Sequence, residues 1–113
     1  MELSETKIGN VVVLRLSGKL MGGPDANLLN NKLHDLVEAQ STLVVADMAE
    51  LNWMNSSGLG ILIGGLNIMR NNKGNLKLAA VTDRIQSLLT ITKLNTIIDT
   101  YPTVDEAVSS YNE

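Results

Sequence analysis

The chain has 113 residues, 44% of them hydrophobic, with a formal charge of -3 and no cysteine. That length suits one domain over 1–113 with a single core, and the acidic balance without clustered Lys or Arg argues against nucleic acid as a partner. The lack of cysteine excludes disulfides, thiolate metal sites and a cysteine nucleophile.

In chain order, Met1-Glu2-Leu3-Ser4-Glu5 is acidic and lacks the basic-then-apolar order of a signal peptide. Leu3 to Ile8 reads as a weak edge strand, turning at Gly9-Asn10 into a stronger strand, Val11 to Leu16. Val12, Leu14 and Leu16 share one face of that strand, with Val11, Val13 and Arg15 on the other. Gly22-Gly23-Pro24-Asp25 breaks the chain and opens a helix whose apolar stripe is Ala26, Leu29, Leu33, Leu36 and Val37. Thr42 to Met48 is a near-continuous apolar run, as expected of a central strand buried on both faces.

A helix over Ser57 to Asn71 follows, with Leu59, Leu62, Ile63, Leu66 and Met69 as its buried face. Its apolar run falls short of the roughly 20 residues needed to span a bilayer, so no direct membrane insertion and a cytoplasmic home are expected. Asn71 to Asn75 is a stop and turn, and Leu76 to Val81 a second inner strand. Thr82-Asp83 caps a short helix carrying Ile85, Leu88 and Leu89, and Ile97 to Thr100 is a short last strand. Thr103 and Glu106 form a capping box before a final helix with Val104, Ala107, Val108 and Tyr111 on its apolar stripe. The resulting order, β-β-α-β-α-β-α-β-α, predicts an α/β fold. Its mixed sheet has an antiparallel opening hairpin, then parallel strands, packed with about four α-helices.

The segment Asn55-Ser56-Ser57-Gly58-Leu59-Gly60 joins the central strand to the most apolar helix. Open α/β sheets place sites at such strand ends, and a helix amino terminus offers unpaired N–H groups and partial positive charge to an anion. Asn55, Ser56 and Ser57 are all good N-caps, with Ser57 expected to fill that role. Gly58, Gly60, Gly64 and Gly65 each cost a helix about 1 kcal/mol against alanine. Close backbone approach is the expected return; for Gly64 and Gly65 it is expected to be to the sheet beneath.

Enzymatic readings fit poorly. The third glycine of a dinucleotide fingerprint is replaced by Ile63, no P-loop lysine follows, and Gly-x-Ser-x-Gly is absent. The single histidine, His34, lies off its helix's apolar stripe, while Asp47 and Glu50 alone make a weak metal signal. Asp47 is expected to hold backbone N–H groups. No cofactor and no catalytic or metal residue is assigned.

Leu51-Asn52-Trp53-Met54-Asn55-Ser56-Ser57-Gly58-Leu59-Gly60 resembles the STAS domain of bacterial anti-sigma factor antagonists. Leu14 to Leu20, Lys77 to Leu94 and Tyr101 to Ala107 resemble other parts of that family, so the likeness covers almost the whole chain. It implies a non-enzymatic regulator of transcription that works by partner switching. Unphosphorylated, such a protein binds an anti-sigma factor serine kinase and frees the sigma factor; phosphorylated on the serine corresponding to Ser56, it lets go, and a PP2C-type phosphatase resets it. The partner surface implied is Met21, Gly22, Trp53, Met54, Asn55, Ser56, Ser57, Gly58 and Leu59. The chain departs from the family pattern at Asn55, where an aspartate is usual, and at Met21, where a second acid is common. The alternatives are a STAS-like cytosolic subunit of an ABC-type transporter and a phosphate-independent protein- or ligand-binding module.

Overall fold

The computed structural model describes residues 1–112. Strands β1 (Glu2–Ile8), β2 (Val11–Leu20), β3 (Leu43–Met54), β4 (Asn75–Ala79) and β5 (Thr100–Tyr101) lie in one sheet in that order. The β1–β2 hairpin is antiparallel, and each later pair is parallel. Helices α1 (Pro24–Glu38), α2 (Ser56–Asn71), α3 (Asp83–Ile91) and α4 (Val104–Ser110) connect or follow the strands.

Strand alternation decides which helix goes where. Val12, Leu14, Leu16, Val44, Ala46, Met48, Leu76 and Leu78 point to one face and join Leu29, Leu33, Leu62, Leu66, Met69, Ile85 and Leu89 from α1, α2 and α3. Val11, Val13, Val45 and Ala79 point to the other and meet Ala107 and Val108 of α4. Each Leu or Val taken fully from water contributes about 1.5–3 kcal/mol, so the large core needs no phenylalanine.

At seven residues α4 is too short to be stable alone. The buried Lys77 anchors it. Its ammonium donates to Ser110 Oγ at 2.7 Å and lies 4.2 Å from the centre of the Tyr111 ring. The Tyr111 hydroxyl in turn donates to the Val44 carbonyl at 2.7 Å, and burial pushes its pKa well above the ordinary phenol value.

Several boundaries differ from the sequence reading. β2 continues past Leu16 to Leu20, and β3 past Met48 to Met54. Ala49 and Glu50 are exposed and interrupt the run, but β3 bulges, taking one extra residue opposite β2 between Arg15 and Ser17 and another between Gly18 and Lys19, so the strand tails stay paired and Leu20, Leu51 and Met54 bury again. The last strand is Thr100–Tyr101 rather than Ile97 to Thr100, because Leu94–Thr96 forms a 3-10 turn that leaves Ile97 outside the ladder. Thr103 caps α4 by accepting from the Glu106 N–H at 3.1 Å. Among the helical glycines, Gly65 packs tightly on Leu33 and Leu76, whereas Gly64 faces open space and does not approach the sheet.

Candidate functional site

The long tail of β3 delivers the chain straight into α2, and Asn55 makes the joint. Its backbone is extended (φ -108°, ψ -174°), while Ser56 and Ser57 are already helical. Asn55 Oδ1 accepts from the Gly58 N–H at 2.9 Å, and its Nδ2 donates to the Met21 carbonyl at 3.3 Å. Opposite partners on the two sides fix which way the amide points. The cap is therefore Asn55 and not Ser57, because only the residue with non-helical dihedrals can turn its side chain back over the helix end. Ser56 and Ser57 are exposed at the first two helical positions, and no acidic residue occupies the first turn. The positive end of α2 is thus left without a carboxylate of its own, which favours an anion there.

A loop from the end of β2 lies across this helix start. A Cβ at Gly58 would fall onto the Leu20 carbonyl, so only glycine lets α2 begin so close to β2. Gly22 has φ 105°, and a Cβ there would stand 3.2 Å from Ser57 Cβ. The loop is tied at both ends of Met21: its carbonyl to Asn55, and its N–H to Asp25 Oδ2 at 3.5 Å. A carboxylate thus reaches this loop from Asp25, four residues beyond the position where the family pattern has an acid.

Met21, Gly22, Trp53, Asn55, Ser56 and Ser57 gather around the carboxyl ends of β2 and β3 and the start of α2. Met21 is 46% exposed and Trp53 38%. Met54, Gly58 and Leu59 are buried and support this surface from beneath. Asp47 lies away from the helix end, buried, with one oxygen accepting from the Ala49 N–H at 3.1 Å and the other 3.3 Å from Arg15 Nε. His34 is exposed on α1, and among the described residues no group of three His, Cys, Asp or Glu stands close enough to hold a metal.

Sequence reasoning did not single out the neighbours of Trp53. Arg84, at the start of α3, lays its guanidinium 4.6 Å from the centre of the indole ring. A groove of about 330 Å³ runs beside it, lined by Trp53, Met54, Arg84, Ser87, Leu88 and Ile91. The one available signal was Ile91, an apolar residue outside the Ile85–Leu88–Leu89 stripe.

Comparison with known proteins agrees with this architecture. The family model described as STAS domain matches residues 3–107. The anti-sigma-B factor antagonist of Bacillus subtilis is 34% identical over 74 residues, 66% of this chain and 67% of that protein. A Thermotoga maritima protein, proposed to be an anti-sigma factor antagonist, superposes with a TM-score of 0.88 at 19% identity, covering 98% of this chain and 95% of that one. The Bacillus anti-sigma factor antagonist SpoIIAA matches in its phosphorylated form with a TM-score of 0.74 at 19% identity, covering 97% of this chain and 99% of that one. Its unphosphorylated form gives 0.73 at 16% identity, over 97% and 96%. At such identities the solved structures speak to the fold alone, but the family model covers nearly the full chain: this protein belongs to the STAS domain family.

Proposed function

We propose that the protein is an anti-sigma factor antagonist that regulates transcription by partner switching, with Ser56 as its phosphorylation site. The observation that carries this reading is the exposed Ser56 at the first position of α2, on a positive helix end with no acid in its first turn. The naming of the Bacillus subtilis relative supports it.

In the unmodified state, the exposed surface of Met21, Trp53, Asn55, Ser56 and Ser57 docks on an anti-sigma factor kinase, which releases its sigma factor. Within that complex Ser56 Oγ attacks the γ-phosphorus of ATP held by the kinase. The bond to the β-phosphate oxygen breaks, ADP leaves, and the hydroxyl proton passes to the kinase. The new group brings about -1.5 to -2 charges. The free N–H groups of Ser56 and Ser57 and the helix dipole accommodate those charges locally, so the fold persists. The kinase surface, formerly matched to a neutral hydroxyl, now meets a dianion, and the complex separates. A PP2C-type phosphatase then restores the hydroxyl.

The test is capture with the unmodified protein, followed by a kinase assay and peptide mapping. The proposal expects an anti-sigma factor kinase in the captured complex and phosphate on Ser56. Phosphate on Ser57 alone, or none with a kinase that binds, would overturn the switch assignment. Transporter subunits in place of the kinase would favour the phosphate-independent docking role.

A further inference from the structure

We infer that the groove between the end of β3 and α3 is a second docking point for the same partner, taking an apolar side chain flanked by a carboxylate. The inference rests on the proposed function for the partner's identity but on different residues for its contacts. Ile91 is 78% exposed and Trp53 38%, and with Leu88 they frame one groove rather than standing scattered. Isolated exposed apolar residues are ordinary, but a cluster around the chain's single tryptophan is not.

Charge says what fits. Lys19 is the cross-strand neighbour of Trp53, and Arg84 lies over its ring. Among the described residues neither cation is within salt-bridge distance of a carboxylate. Two cations outside any ion pair beside an exposed indole, one of them lining the groove, favour a carboxylate-bearing partner segment. The groove is also continuous with the helix-end surface, since Trp53 and Met54 lead directly into Asn55 and Ser56. A partner spanning both would bury the groove and read the state of Ser56 in one encounter.

The test titrates a purified anti-sigma factor kinase, already shown to bind the unmodified chain, into the protein labelled with 5-fluorotryptophan at Trp53. Ile91→Ser and Arg84→Glu are each expected to weaken binding at least about tenfold, and Arg84→Lys much less. Both side chains are exposed, so the unfolding curves should stay close to the parent's. The fluorine resonance should shift on binding to the parent, and less in Ile91→Ser at matched saturation. Unchanged affinity in both Ile91→Ser and Arg84→Glu, with Ser56→Asp still weakened, overturns the groove while leaving the phosphoswitch standing. The reverse pattern keeps the groove and removes the phosphoswitch. A concentration-dependent dimer lost in Ile91→Ser, with kinase affinity unchanged, would assign the groove to self-association and refute the inference.

Discussion

Replacing Asn55 with alanine removes two hydrogen bonds at once: the cap to the Gly58 N–H and the tie to the Met21 carbonyl. The cap contributes about 0.5–2 kcal/mol. The tie is longer and exposed, and belongs at the low end of the roughly 0.5–1.5 kcal/mol of an ordinary hydrogen bond. Asn55→Ala should therefore lose about 1–2.5 kcal/mol, lowering the melting temperature by about 4–10 °C in a domain of this size. Asn55→Asp keeps an acceptor for Gly58 and gains about 0.3–1 kcal/mol from the helix dipole. It loses the donor and turns an oxygen toward the Met21 carbonyl, so its net change should stay within about 1 kcal/mol. Asn55→Ser is the useful third variant, because a serine caps but cannot reach Met21. Urea unfolding of the four proteins measures the series. Alanine as stable as the parent would refute the idea that Asn55 holds the loop and helix together. Carrying the same proteins into a kinase assay separates a second role: if the family's carboxylate helps the kinase, Asn55→Asp should phosphorylate faster at Ser56.

Two glycines on α2 should respond oppositely to alanine. Gly58→Ala drives a Cβ into the Leu20 carbonyl and should cost about 1–3 kcal/mol or more, whereas Gly64→Ala meets open space and should gain about 0.5–1 kcal/mol in the same unfolding assay; equal effects would contradict the packing. Tyr111 supplies a pH dependence. Its phenol pKa is raised by burial, so the folded state holds its proton longer, and the contribution is complete below about pH 10 and lost as pH rises above it. The parent should therefore lose stability in that range more steeply than Tyr111→Phe, by up to about 1.4 kcal/mol per pH unit, and identical slopes would contradict the reading.

The fold was legible because each segment obeys one period: alternation in Val11 to Leu16, a helical stripe from Ala26 to Val37, and near-continuous apolar character in Thr42 to Met48. What sequence could not supply was set by contacts between distant segments. β3 outran its expected end because it bulges to stay paired with β2, keeping Leu51 and Met54 inside. Thr103 announced itself as a cap, while three residues at 55–57 competed for the same role and only backbone dihedrals chose Asn55. Met54 and Leu59 flank the serines in sequence but are buried, because sequence adjacency carries no direction. Arg84 and Ile91 were missed for the converse reason: helix α2 and strand β4 separate them from Trp53 in the chain, and the fold brings them together.

The central claim is that the charge state of Ser56 governs partner binding. Isothermal titration of the anti-sigma factor kinase into the unmodified protein and into protein phosphorylated at Ser56 tests it most directly, without relying on a mimic. The account predicts at least about a hundredfold loss of affinity on phosphorylation, close to 3 kcal/mol, with Ser56→Ala binding like the unmodified chain. Equal dissociation constants for the two forms would contradict it.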